Sequence, residues 1–425
     1  MKKDKFVKIC HSGWGCFVLV IITFLVYSPT LKNSFLTGWD DQWMVFSRYT
    51  EGGWTVTNLW HIFTDFYGGQ YAPLAFLSYL ALYTVFGYDP LYFHLFSLLL
   101  HIGCVCLVWK FITTLLCMHD TKKKNQASVI AWLTALLFAI HPINVEAVAW
   151  ISALKVLLYA FFYLWGLLCY MHYIQTQKIS YYVLAIVCFL CSFWGKEQAV
   201  TFPLVLLVID WFANRNMKNS EVWSEKMSFL IMAFFFGIIT ILSQGKSPYE
   251  MTFPLYQRTL FGCFALVEYI TKSLLPVNLN FFYPFPIVLG EELPMRYYLY
   301  PVVLLCITGW IIAYRNNRYL ILGVLLFFIN LLFSIHILNM SRHAIVADRY
   351  MYLSYIGVSF LIAVGLWQLK KRLSYFKTAL AILFFYCFFL SVYTFHYTKK
   401  WENTTMVKKY TKEILEKRLS ESSHL

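Results

Sequence analysis

Apolar runs of roughly 17 to 25 residues recur along the whole chain, each long enough to cross a hydrocarbon core about 30 Å thick at 1.5 Å per residue. No other feature narrows the fold as much. Lipid offers no partner to an unpaired backbone group, and an uninterrupted apolar run satisfies its own backbone as a helix. The composition agrees: 60% of the 425 residues are hydrophobic and 13% are charged, against about 25% charged in soluble domains. The chain reads as an all-α, polytopic integral membrane helical bundle.

The first run, Cys16 to Tyr27, follows the basic segment MKKDKFVK and is not followed by an A-x-A-like cleavage site, so a retained anchor is expected. Its lysines put the N-terminus on the cytoplasmic side. From there, eleven transmembrane helices are expected near 12–30, 91–116, 127–142, 150–173, 180–194, 200–213, 226–243, 297–314, 318–336, 350–369 and 376–396, with the C-terminus outside. The turns this order leaves in the cytoplasm hold Lys122–Lys124, Lys178, Arg215 with Lys218, Arg315 with Arg318, and Lys370–Arg372, as the positive-inside rule requires. This topology accounts for the net charge of +14 without nucleic acid as a partner. Of the 21 acidic residues, all but Asp4, Asp120, Asp210, Glu221 and Glu225 then fall outside. Stretches 71–87 and 258–276 make poor spans and read as helices at the outer interface. The division is one transmembrane domain, 1–396, with outer loops 31–90 and 244–296, and an amphipathic helical tail, 397–425. No repeat period is visible.

Ionisable residues beside or within spans are costly and mark a water-filled or substrate cavity by default. On the outer side they comprise Asp40 and Asp41 in FLTGWDDQW, His94 and His101, His141 with Glu146 in AIHPINVEAVAW, Lys196 with Glu197 in FWGKEQAV, and Arg342, His343, Asp348 and Arg349 in MSRHAIVADRY. Singly, each has a plain structural reading: a solvated turn for the Asp pair, a helix end for His141-Pro142, a snorkelling neighbour pair for Lys196 and Glu197, an interfacial anchor for Arg349. Their coincidence at the outer ends of different helices favours a shared cavity. Walker A, complete GxGxxG, HExxH, paired CxxC and GxSxG sequences are all absent. The cysteines sit mostly in apolar runs and read as packing.

The blocks WDD (39–41), YAPL (71–74), FGYDPLYFHLFSLLLH (86–101), FAIHPINVEAVAWIS (138–152), GKEQAVTFPLVLLVID (195–210), LPVNLNFFYPFP (275–286) and ADRYMYLSYIG (347–357) resemble the GT-C class of membrane glycosyltransferases. The closer resemblance is to its protein O-mannosyltransferase-like branch, which includes the transmembrane and tetratricopeptide-repeat proteins and their bacterial relatives. It implies a GT-C-like fold and transfer of a sugar from a polyprenyl- or dolichyl-phosphate donor to an outer-face hydroxyl, with protein Ser/Thr favoured as acceptor. Two departures stand out. The branch usually shows an Arg and, two residues later, an Asp after Trp150, where this chain has Leu154, Lys155 and Val156; and the repeat array that often follows the last span is not expected in this chain.

A carboxylate within reach can take the acceptor's proton, and the resemblance makes Asp40 or Asp41 that base. Neighbours on a helix point about 100° apart, so one of the two faces the acceptor, and Asp40 is the expected one. Arg349 is the first candidate for the leaving phosphate, followed by Lys196, with Lys155 and Arg342 assisting. His141, Glu146 and Glu197 would orient the sugar or the basic residues, and Tyr71 and Tyr283 would bound the acceptor groove. No metal ligands are assigned; the Asp pair is compatible with a divalent ion without requiring one. The expected partners are membrane lipids, the lipid-linked donor and an acceptor protein or glycan. A lipid or cell-envelope glycan acceptor, a lipid-linked-sugar flippase and a non-catalytic assembly factor remain alternatives. Short cytoplasmic loops favour a bacterial plasma membrane, with the endoplasmic reticulum expected for a eukaryotic source.

Overall fold

A computed structural model describes residues 13–244, 253–335, 344–370 and 372–422. Among them the regular structure is helical, with two isolated β-bridges. The helices are α1 (Gly13–Tyr27), α2 (Asp41–Met44), α3 (Arg48–Glu51), α4 (Val56–Thr64), α5 (Pro73–Phe86), α6 (Pro90–His119), α7 (Lys124–Ile140), α8 (Val145–Ala149), α9 (Leu154–Thr176), α10 (Ile179–Gly195), α11 (Phe202–Phe212), α12 (Ser220–Gln244), α13 (Leu255–Leu274), α14 (Leu299–Ala313), α15 (Arg318–Leu331), α16 (Tyr355–Leu369), α17 (Leu373–Lys399) and α18 (Thr404–Ser422).

Within the described residues each of the eleven apolar stretches is mainly helical, but not every helix has the length of a span. Among the described residues six are long and apolar enough to cross a membrane, and the bent pair 121–140 and 142–149, with an angle of 55° at His141, makes a seventh if counted as one. Helices α10, α11, α15 and α16 are shorter; the 3₁₀ turns Glu197–Thr201, between α10 and α11, and Asp348–Met351, before α16, take over at the cavity end. Proline explains one such break: Pro142 cannot continue α7, and His141 adopts the extended conformation that a following proline favours.

Burial runs from the centre outwards. Helices α7, α8 and the first half of α9 are almost wholly enclosed, whereas α14 has no buried residue and turns Val302, Leu305 and Trp310 outwards. Against lipid, side-chain apolarity alone gives little drive to helix association, so close packing has to supply it. At the crossing of α15 and α16, Gly323 and Gly357 face one another, and a Cβ at Gly357 would lie 2.6 Å from the Phe327 amide nitrogen.

The charges of α11 and α12 gather at one end of the bundle. Asp210 and Lys226, both fully buried, form an ion pair; Arg215 bridges Asp210 at 3.0 Å and Glu225 at 2.6 Å, and the Tyr170 hydroxyl donates to Asp210. Two acids and two bases close a balanced network, as buried charges require. Thr240 and Ser243, near the far end of α12, line the cavity. At 1.5 Å per residue they lie roughly 20 to 25 Å from Lys226 along the helix axis, so network and cavity occupy opposite ends.

Candidate active site

A cavity of about 850 Å³ opens between the loop that follows α1, the start of α9, the end of α10 and the segment before α16. Asp40, Lys155, Lys196, Glu197, Arg349 and Tyr71 line it, with Trp39, Trp43, Trp150 and Tyr350 among its aromatic walls.

The two adjacent aspartates part company here. Asp40 is half-buried at the cavity surface, where its Oδ1 accepts the Trp43 indole N–H at 3.3 Å. Asp41 opens α2 and is fully buried. Its Oδ2 accepts the Leu36 N–H at 2.8 Å, and its Oδ1 accepts the Ser152 N–H at 3.0 Å and the Ser152 hydroxyl. Burial pushes the Asp41 carboxyl up to about 6 against these hydrogen bonds, with the neighbouring Asp40 adding to the rise.

Ser152 stands three residues before Lys155, in the 3₁₀ turn Ile151–Ala153 that leads into α9. Asp41 therefore ties the Asp40 loop to the turn that delivers Lys155. The Lys155 ammonium donates to Gln70 Oε1. Gln70 is presented by a tight turn in which Gly68 and Gly69 both have positive φ, 58° and 69°, and Tyr67 and Gln70 exchange backbone hydrogen bonds at 3.1 Å. Glycine is needed there for its conformation, and at Gly68 also for space, since a Cβ would meet the Trp43 ring at 2.5 Å.

Arg349 lies in the 3₁₀ turn Asp348–Met351. Its guanidinium is paired with Glu146 of α8, whose other oxygen accepts the Arg349 N–H at 2.7 Å. The guanidinium also sits over Trp150 and Tyr350, at 5.4 and 5.1 Å, where the ring faces attract a cation. Burial works against its charge, but the Glu146 carboxylate, with Tyr350 and Asp40 adding to it, raises the guanidinium above its ordinary pKa. Lys196 follows the end of α10, with its ammonium 4.9 Å from the Tyr350 ring. At Gly195, next to it, α10 approaches α9 so closely that a Cβ would meet the Tyr159 amide nitrogen at 2.7 Å.

Of the remaining expected residues, Glu197 and Tyr71 line the cavity, although the Tyr71 hydroxyl is committed to the Phe63 carbonyl at 3.0 Å. His141, Glu146 and Tyr283 do not line it; Glu146 bonds the lining Arg349, and Tyr283 bonds its neighbour Asp348. His141 Nδ1 accepts the Ile143 N–H at 3.2 Å, and its ring packs on Tyr355 with centroids 4.1 Å apart. Tyr283 donates to Asp348 at 2.9 Å and accepts from Lys272 at 3.2 Å; burial pushes the Asp348 carboxyl up to about 7. Arg342 lies outside the described residues. Val156 is fully enclosed in the apolar core, where an acid would have to be paired. Sequence reasoning missed Gln70 and Ser152; the Gly68-Gly69 pair was the turn signal that marked Gln70. Among the described residues no three His, Cys, Asp or Glu side chains are gathered around a point that could hold a metal ion.

Sequence comparison gives Protein O-mannosyl-transferase tmtc2 of Xenopus laevis, 32% identical over 203 residues, which is 44% of this chain and 23% of that protein. Protein O-mannosyl-transferase TMTC1 of Homo sapiens is 31% identical over 220 residues, covering 46% of this chain and 23% of its own length. The chain is a relative of the TMTC protein O-mannosyl-transferases. Protein O-mannosyl-transferase Tmtc3 of Drosophila melanogaster shares 26% identity over 168 residues, 35% of this TMTC-like chain and 18% of the fly protein. The matched part thus spans less than a quarter of each relative. No protein-family model and no solved structure matches the TMTC-like chain.

Proposed function

We propose that the chain is a membrane glycosyltransferase of GT-C type that moves a sugar, mannose by analogy with its relatives' names, from a polyprenyl-phosphate carrier to a protein Ser or Thr hydroxyl at the outer face. One observation carries this reading: a carboxylate, Asp40, opens into the same cavity as three cations, Lys155, Lys196 and Arg349.

The chemistry follows from that arrangement. Asp40 takes the proton as the acceptor oxygen attacks the anomeric carbon, a contribution typically worth about 10² to 10⁴ in rate. The bond from that carbon to the phosphate oxygen breaks, and its electron pair leaves with the phosphate. Fixed cations stabilise the charge that develops there. Arg349 is oriented by Glu146 and held over Trp150, and Lys155 is steered by Gln70. Trp39, Trp43 and Tyr71 supply flat apolar faces for a sugar or a peptide.

Sidedness rests on charge: the acidic excess lies at the cavity end, and the basic turns at the other. The bacterial plasma membrane gains no support from the three named relatives, which are animal proteins. One observation speaks for the assembly-factor alternative, the apolar Val156 where the resembling branch carries an acid.

The test is transfer by the purified chain in lipid nanodiscs, with a panel of polyprenyl-phosphate sugars and Ser/Thr peptides. Sugar on peptide from the wild type, with loss in Asp40→Asn, is the expected result. Donor binding without turnover across the panel would move the reading to a carrier or an assembly factor.

A further inference from the structure

The cavity wall is braced from behind by the residues that follow α17. Trp401 is 1% exposed, and its indole contacts two rings of the cavity region: it stacks on Trp150 with centroids 6.0 Å apart and planes at 25°, and meets Phe281 edge-on at 4.5 Å. Trp150 is the ring beneath the Arg349 guanidinium. The same segment grips the aspartate loop. The Ser34 N–H donates to the Glu402 carbonyl at 2.8 Å and the Gly38 N–H to Thr404 Oγ1 at 3.4 Å, and at the end of α17 itself the Thr398 carbonyl accepts the Asn33 side-chain amide at 3.2 Å. At Gly38 the fit leaves no room for a side chain: a Cβ would lie 2.6 Å from Thr404 Cγ2 and 2.6 Å from Lys408 Nζ. Gly38 stands two residues before Asp40.

These contacts tie together groups that the proposed chemistry needs in register. The loop ending in Asp41 is fastened to Ser152 on one side, whereas the Asp40 carboxylate is steadied by the long bond from the Trp43 indole at 3.3 Å. Its placement therefore depends on how residues 33–39 lie, and those residues rest on the segment after α17. The same segment, through Trp401 and Trp150, supports Arg349.

We infer that Trp401 to Lys408 is a positioning element of the active site, setting the general base through Gly38 and the phosphate-binding arginine through Trp150, so that turnover depends on the docking of the segment after α17. This rests on the transferase reading above. None of these residues has to touch substrate; they act through Asp40 and Arg349.

The test uses the full chain in nanodiscs and three variants, Gly38→Ala, Thr404→Ser and the two combined. Thr404→Ser keeps the hydroxyl and removes the methyl that the new Cβ would strike, while the Lys408 ammonium, at the end of an exposed flexible side chain, can swing aside. Gly38→Ala should lower kcat on the order of ten- to hundredfold, the scale of a displacement near 1 Å at a reacting group, while donor affinity measured without acceptor stays within about twofold. The combined variant should recover most of the rate, and Thr404→Ser alone should match the wild type. Amide hydrogen exchange across residues 33–44 should quicken in Gly38→Ala and recover in the combined variant. Wild-type turnover and exchange in Gly38→Ala would overturn the inference, as would a loss that Thr404→Ser does not relieve. If the wild type transfers no sugar, the transferase reading fails while the exchange pattern still decides the docking.

Discussion

Asp40 and Asp41 are neighbours in sequence, yet one faces the cavity and the other is fully buried with three hydrogen-bond donors around it, two of them from Ser152. Substitution by asparagine should therefore have opposite consequences at the two positions. Asp40→Asn should reduce transfer by roughly 10² to 10⁴ and leave the melting temperature within about a degree or two of the wild type. Asp41→Asn turns an amide NH₂ towards a buried N–H and should destabilise the protein by about 1–3 kcal/mol. Paired rate and thermal-melting measurements separate the two effects; a stable, inactive Asp41→Asn with a fully active Asp40→Asn would reverse the assignment.

The pH dependence of stability gives a second check. Asp41 has a folded-state value raised to about 6 from 3.8, so between those values the folded state holds more protons than the unfolded one. Stability from this group is therefore greatest at low pH, falls as pH rises from about 4 through 6, and levels off above, a span on the order of 3 kcal/mol. Asp348, raised to about 7, extends the same trend upwards. In detergent melts from pH 5 to 8, the wild type should lose stability with rising pH more steeply than Asp348→Asn. An equal or opposite slope would remove burial as the dominant influence on Asp348.

Glu146 holds both the backbone N–H and the guanidinium of Arg349 from a position with 2% side-chain exposure. Removing one partner of a buried pair costs about 3–5 kcal/mol. Glu146→Ala should lower stability by an amount in that range and, by freeing the guanidinium, raise the donor's KM more than it changes acceptor binding. Titration with donor alone, beside thermal melts, would reveal it.

The crossing of α15 and α16 tests packing away from the cavity. Gly357→Ala forces apart two helices whose backbones nearly touch, an overpacking that costs roughly 1–3 kcal/mol. Reduced thermal stability with unchanged donor affinity is the expected pair of results.

The long helices were legible in sequence because lipid imposes one simple demand on them, an apolar run with its backbone paired internally. Where the chain leaves that solvent, the code weakens. Helices α2, α3 and α4, of 4, 4 and 9 residues, are too short for periodicity to register. The charged residues Asp40, Lys155, Lys196, Glu197 and Arg349 were legible as a group because each is conspicuous beside an apolar span. Which of two neighbouring aspartates would look inwards was not, since that is decided by Ser152, more than a hundred positions away. The tail helix shows the same limit: its half-buried Met406, Tyr410 and Ile414 follow the helical spacing, but among the described side chains of α18 the one fully buried is Val407, chosen by the surface beneath it.

The cavity's mixture of signs has a consequence for the reaction as a whole. Asp40 and Glu197 face Lys155, Lys196 and Arg349, and Glu146 offsets the last from behind. In the proposed reaction a proton settles on Asp40 while the departing phosphate gains a negative charge, so a unit of charge crosses the chamber and its total is unchanged. A compartment that relocates charge internally can complete the step without drawing an ion from outside. After the chemistry Asp40 must return its proton to water before the next acceptor can be used.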